Sequence, residues 1–180
     1  MKYIFTFLGI MLGICSNSTS AIDLSTLDQE NLLYLDIEPG RIVILMRPDV
    51  APNHVARIKE LTREGFYDGT VFHRVIPGFM AQGGDPKGTG TGGSGKHLKA
   101  EFNRLPNLRG TLAMARADAE DSADSQFFIV FDRSPFLDRK YTVWGRVIQG
   151  MEFADMIAVG EPPANPTKII KMTVAADAGK

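Results

Sequence analysis

The chain predicts a mainly β fold in which an antiparallel sheet closes on itself. Three observations lead there. Short apolar and β-branched runs recur along the 180 residues, turn residues separate them, and only two stretches carry a helical period. No internal repeat or composition break divides the chain beyond residue 30, so one domain over residues 31–176 is expected.

The elements follow in order. Leu32–Ile37 and Arg41–Met46 read as a hairpin around Glu38-Pro39-Gly40. Asp49 is placed to cap a helix with Pro52 in its first turn, where a missing N–H costs nothing. Val55, Ile58 and Leu61 give that helix an apolar face, and Gly65 ends it. Val71–Ile76 and Phe79–Gln82 are strand-like on either side of Pro77-Gly78. Thr111–Ala115, Phe127–Phe131 and Thr142–Ile148 are further strands, Met151–Val159 fits a second helix closed by Gly160, and Lys168–Ala175 alternates as a last strand. Phe127 and Phe128 are neighbours on one strand, so one faces into the sheet's core and the other out.

Composition removes several function classes. The formal net charge is −1 and no block of like charge stands out, which excludes a basic nucleic-acid footprint. Gly83–Gly95 contains both a G-x-G-x-x-G and a G-x-x-x-x-G-K pattern. The first has no strand before it and no helical period after it, and the second is followed by His97 where a phosphate loop needs Ser or Thr. These glycines read as support for a tight irregular loop. His54, His73 and His97 lack the spacing of a metal site; His54 is expected on the helix surface, and His73 points away from Arg74. No metal and no cofactor are expected.

One charge stands out against its surroundings. Arg74 sits in F-H-R-V-I-P-G-F-M-A-Q-G-G-D, residues 72–85, where a strand would place its guanidinium beside Phe72 and Ile76. A guanidinium among apolar neighbours is costly unless paired or used, so it is either a structural ion pair or a functional group. Downstream come M-A-R-A at residues 114–117, S-Q-F-F-I at 125–129, F-L-D at 136–138 and V-W-G-R-V at 143–147. Taken together, these motifs resemble the cyclophilin family of peptidyl-prolyl isomerases from about Asn31 to about Val174.

The resemblance implies a closed eight-stranded antiparallel barrel capped by two α-helices. It also implies an enzyme that accelerates rotation about X-Pro bonds in proline-containing unfolded or folding polypeptides. Such a rotation changes no covalent bond, so it needs no base, metal or nucleophile; a fixed cation beside the twisted prolyl nitrogen suffices. The resemblance gives that role to Arg74. Phe79, Met80, Phe128 and Leu137 become the apolar walls, Phe136 and Tyr141 the rim, and Gln82 the group that orients the arginine or the substrate carbonyl. Backbone groups of Ala115 and Arg116 would hold the residue before proline, while Gln126 stands between pocket rim and structural hydrogen bonding. A non-catalytic proline-peptide binding or chaperone module on the same fold is the alternative; it would need the pocket but not the cation. Many relatives carry Asn, Trp and His where this chain has Arg116, Phe136 and Tyr141, and the first two resemble the bacterial branch. Phe136 has no indole N–H, so cyclosporin should bind weakly.

The N-terminus is separate in character. Lys2 precedes a 13-residue apolar run, Tyr3–Cys15, and Ser16–Ser20 are polar. This is the layout of a signal peptide over residues 1–21, and the run is short for a membrane span. Leu12–Cys15 faintly resembles a lipoprotein processing site, but Ile14 is bulkier than the small residue expected there. Residues 22–30 read as a short polar lead-in. The expectation is a periplasmic monomer with no stable membrane insertion after cleavage, and removal of residues 1–21 would also remove Cys15, the one cysteine. Mass spectrometry of the native protein should therefore find an N-terminus near Ile22; an intact Met1 on soluble cytoplasmic protein would refute export.

Overall fold

A computed structural model describes residues 22–179. The proposed signal segment lies outside the described residues. Eight strands form one antiparallel sheet: β1 (Leu32–Ile37), β2 (Gly40–Met46), β3 (Arg74–Ile76), β4 (Met80–Gly83), β5 (Thr111–Met114), β6 (Phe127–Val130), β7 (Val143–Gln149) and β8 (Ile169–Val174). Their order across the sheet is β3-β4-β6-β5-β7-β2-β1-β8. The sheet curls strongly but does not close as expected. Its edge strands, β3 and β8, share no ladder, which leaves a half-barrel. Only short backbone contacts cross the seam: Gly69 N–H donates to Ile169 O at 2.7 Å, Ile169 N–H to Thr70 O at 2.8 Å and Phe72 N–H to Thr167 O at 3.0 Å. With three residues in β3, running directly into Pro77-Gly78, there is too little strand to carry a ladder further.

The two faces of the sheet have separate apolar clusters. The concave face gathers Leu33, Leu35, Ile42, Ile44, Val75, Ala81, Leu112, Phe127, Ile129 and Trp144 into the main core. Phe127 is its aromatic hub, with Tyr67, Phe72 and Trp144 packed edge to face around it at 5.7–6.4 Å. The outer face gathers Met80, Ala113, Phe128, Val130, Leu137 and Val143. The lead-in also packs: Leu24 and Leu27 lie against Leu32, Val43 and Ala175.

Helix α1 (Pro52–Arg63) buries Val55, Ile58 and Leu61 against the main core, each worth roughly 1.5–3 kcal/mol when fully removed from water. Its C-terminus closes as expected, with Gly65 N–H donating to Thr62 O and Phe66 N–H to Leu61 O. The N-terminus differs from expectation. Asp49 is bonded to Arg47, and Ala51 occupies the cap position with no side-chain bond. Glu101 supplies the cap from a distant loop: its carboxylate accepts from Asn53 N–H at 3.1 Å and from His54 N–H at 3.0 Å. The same carboxylate binds His54 Nδ1 at 2.7 Å, which draws His54 fully into the interior instead of onto the helix surface.

The second helix is also shorter than expected. α2 spans Met151–Ala154, one turn in place of the nine residues expected. The chain beyond it is pulled into extended pairing: Ala158 N–H donates to Thr167 Oγ1, and Gly160 pairs with Val75.

Glu101 offers a test of this long-range cap. Partial burial works to raise its pKa, but hydrogen bonds from His54 and Asn53 outweigh burial and hold the carboxyl below its usual range. A depressed folded pKa contributes stability above the ordinary carboxylate pKa, near pH 4.3, and loses it as pH falls through the folded value. Glu101→Ala should cost about 2–3 kcal/mol in urea denaturation at neutral pH, combining lost capping with an unpartnered His54. The gap to wild type should narrow as pH falls below the carboxylate range.

Candidate functional site

Strand register places the site on the outer face. Arg74 pairs with Gln82, Gln82 with Phe128, Phe128 with Ala113, and Ala113 with Val143, so one rung crosses five strands. The next rung on the same face is Ile76, Met80 and Val130. Side chains of alternate residues share a face, so Arg74 projects beside Phe128 and Met80 while Phe127 faces the core.

A cavity of about 140 Å³ opens here, lined by Arg74, Phe79, Met80, Gln82, Ala115, Arg116, Phe128, Leu137 and Tyr141. Nine of the residues singled out from the sequence thus surround one cavity. Met80, Phe128 and Leu137 are buried and form its floor, and Tyr141 packs edge-on against Phe128 at 5.6 Å. Phe136 is 59% exposed at the rim, its ring tilted over Phe79 at 5.4 Å. Gln126 lies next door, in a more polar cavity of about 330 Å³ shared with Gln82, His97, Ala115, Arg116, Ser122 and Asp124.

Two side chains bond differently from expectation. Gln82 stands opposite Arg74, yet its amide donates to Gln126 Oε1 at 2.9 Å. Gln126 in turn donates to the carbonyls of Gly90 and Gly92, so this chain of amides ties the sheet to the glycine loop. Arg74 instead donates through Nε to Glu161 Oε2 at 2.7 Å. Nor is Arg74 enclosed by apolar neighbours: its side chain is 42% exposed and that of Glu161 51%. An ion pair so exposed contributes little to stability. Sequence reasoning missed Glu161 because it lies 87 residues from Arg74; its one local signal is a carboxylate directly before Pro162-Pro163.

The rim is held by ordered backbone and charge. Arg116 donates to the carbonyls of Lys140, Ala117 and Asp118, and its guanidinium lies 5.0 Å from the centre of the Tyr141 ring. Ala115 N–H already donates to Gln126 O, which leaves Arg116 as the next backbone unit along that edge. Phe136 and Leu137 sit in a 3₁₀ turn, Pro135–Leu137, anchored by Asp138. The hydrogen bond from Arg133, helped by Asn107, brings the Asp138 pKa down to about 2.

Asp85 organises the glycine loop, a second residue the sequence reading passed over. Fully buried, its carboxylate accepts N–H groups of Lys87, Thr89, Gly90 and Gly92 at 2.6–3.2 Å. Burial works to raise its pKa, but these backbone bonds outweigh that and lower it. Asp124 likewise accepts from Ser94 and Gly95. The amides that a phosphate loop would offer to an anion are therefore already engaged with the protein's own carboxylates. Gly92 is required by this approach, since a Cβ there would lie 2.0 Å from Asp85 Oδ1. Among the described residues, no group of three or more His, Cys, Asp or Glu side chains could share a metal ion, and no helix is long and apolar enough to cross a membrane.

Residues 32–174 match the family model of the cyclophilin type peptidyl-prolyl cis-trans isomerases. The chain belongs to the cyclophilin-type peptidyl-prolyl cis-trans isomerase family. Family membership identifies its enzyme class as peptidyl-prolyl cis-trans isomerase. A probable peptidyl-prolyl cis-trans isomerase of Brucella suis is 45% identical, over 95% of this chain and 93% of its own. A crystal structure of a cyclophilin from Hirschia baltica superposes with a TM-score of 0.79 at 31% identity, covering 85% of this chain and 77% of that one. A Cryptosporidium parvum cyclophilin type isomerase, crystallised in the presence of the dipeptide Ala-Pro, gives a TM-score of 0.74 at 28% identity over 79% of this chain and 98% of that one.

The Asp85 arrangement is open to test. Asp85→Asn keeps the shape but turns one acceptor into a donor that faces N–H groups. In this cyclophilin it should cost about 2–3 kcal/mol of stability and speed hydrogen exchange at Thr89 and Gly90. Unchanged exchange at those amides would show that the carboxylate does not order the loop.

Proposed function

We propose that the enzyme isomerises X-Pro bonds by stabilising the twisted amide with Arg74 over the apolar cavity. The observation that carries this reading is the guanidinium at the mouth of the cavity walled by Phe79, Met80, Phe128 and Leu137. Amide resonance sets a barrier of about 20 kcal/mol to rotation. Twisting breaks that resonance and returns a lone pair to the prolyl nitrogen. A site accelerates the step only if it binds this twisted state better than either planar form.

The proline ring fills the cavity, as an apolar five-membered ring suits Met80, Phe128 and Leu137. The preceding residue runs along Arg116, whose backbone can pair with it. With the ring and the preceding carbonyl held, rotation is confined to the one bond. Arg74 then donates toward the prolyl nitrogen. Arginine suits this role because it stays charged and holds its donors in a rigid plane. The dipeptide used with the Cryptosporidium parvum relative supports a proline-containing ligand.

Substrates on this reading are exported, proline-containing polypeptides. Lys2, the apolar run Tyr3–Cys15 and the polar Ser16–Ser20 support export to the periplasm by a bacterial exported branch of the family.

Arg74→Ala should lower kcat/KM by about 10²- to 10³-fold, the scale of losing one transition-state donor, while peptide binding weakens far less. A coupled assay on a short X-Pro peptide measures the first quantity and calorimetric titration the second. Activity within about threefold of wild type would sink the role given to Arg74.

A further inference from the structure

Glu161 lies outside the apolar cavity, yet it is the side chain bonded to Arg74. The loop that carries it is fixed to the strand that carries Arg74. Val75 N–H donates to Gly160 O at 2.8 Å, and Gly160 N–H returns to Val75 O at 3.0 Å. The residues next to each partner of the ion pair are therefore bonded to each other through backbone. Gly160 has a φ of +148°, and a Cβ there would lie 2.5 Å from Pro163 Cα, so this turn admits no side chain. Pro162 and Pro163 follow with ring-locked φ. The carboxylate is thus presented on a stiff loop and not on a free arm.

The contact also falls on the useful atom. Nε is the guanidinium nitrogen nearest the chain, and a bond there restrains rotation of the whole plane while leaving both Nη groups for the cavity that Arg74 lines. Gln82, the neighbour across the strand pair, is engaged with Gln126 and does not supply this restraint. Both members of the ion pair are exposed, so its loss should leave the fold intact.

We propose that Glu161 is a positioning residue for the reaction, holding the plane of the Arg74 guanidinium at the mouth of the proline cavity through Nε; this rests on the role given to Arg74 above. A flexible arginine at the same place would spend much of its time out of line with the prolyl nitrogen. Small misplacements of a group that acts in the transition state cost rate more than binding.

The test is a double-mutant cycle on isomerase kinetics with a short X-Pro peptide, accompanied by thermal unfolding. Glu161→Ala should lower kcat about tenfold with KM and melting temperature little changed. Glu161→Gln, whose amide oxygen still accepts from Nε, should keep more activity than Glu161→Ala. In an Arg74→Lys background there is no Nε–H to hold, and Glu161→Ala should then have no further effect. The Arg74 Nε–H resonance of the wild type should shift in Glu161→Ala. Activity of Glu161→Ala within about twofold of wild type, or the same fractional loss in both backgrounds, would overturn the proposal. Full activity of Arg74→Ala is a different outcome: it would remove the role of Arg74 itself, whatever Glu161 does.

Discussion

Strand register across β3, β4, β6, β5 and β7 is the constraint on which the rest of this enzyme depends. It lines up Arg74, Gln82, Phe128, Ala113 and Val143 on the outer face and leaves Val75, Ala81, Ile129 and Leu112 for the core. A slip of one residue in any of these strands would exchange the two sets, sending a guanidinium inward and the core residues into water. The large aromatic core around Phe127 therefore does more than stabilise the sheet. By opposing any slip, it also holds the cation and the apolar floor of the cavity in fixed relation.

Irregular segments are fixed by a different device. Glu101 caps α1 from a loop 47 residues away, Asp85 gathers four loop amides, Asp124 holds Ser94 and Gly95, and Asp138 anchors the turn that carries Phe136 and Leu137. Each is a carboxylate that accepts several donors, and in Glu101, Asp85 and Asp138 those donors hold the pKa below the usual carboxylate range. Asp85, Asp124 and Asp138 in this way stiffen the connections that border the two cavities. Stiffness matters because the proposed chemistry is preferential binding of one distorted state, and a yielding site would fit the planar forms as well.

What could be read from the sequence was whatever local pattern decides. Alternation in Phe127-Phe128 requires one ring to face the core and the other to face out, and Gly65 marks the end of α1; that Phe128 is the outward one, and that it meets Arg74, Phe79, Met80 and Gln82 around one cavity, rested on the family resemblance. Partners far away in sequence decided the rest. His54 looked like a surface residue because Glu101, which draws it inward, is 47 residues distant. Asp49 was a plausible cap until Arg47 took its carboxylate. The second helix stops early because Gly160 pairs with the backbone of Val75 in β3 and Ala158 N–H donates to the Thr167 hydroxyl just before β8. Closure of the sheet depends on the length of β3 and its match to β8, which no single strand's pattern reveals. Glu161 was hidden for the same reason.

The central claim is that a proline ring held on Met80, Phe128 and Leu137 rotates about its amide beneath Arg74. Exchange NMR on a short X-Pro peptide with substoichiometric wild-type protein tests it most directly, because one experiment reports both where the peptide sits and how fast its isomers interconvert. The account predicts cis–trans exchange peaks that appear only with protein, together with shift changes confined to Phe79, Met80, Ala115, Arg116, Phe128 and Leu137. Shift changes at these residues without accelerated exchange, or accelerated exchange with the changes elsewhere on the sheet, would contradict it.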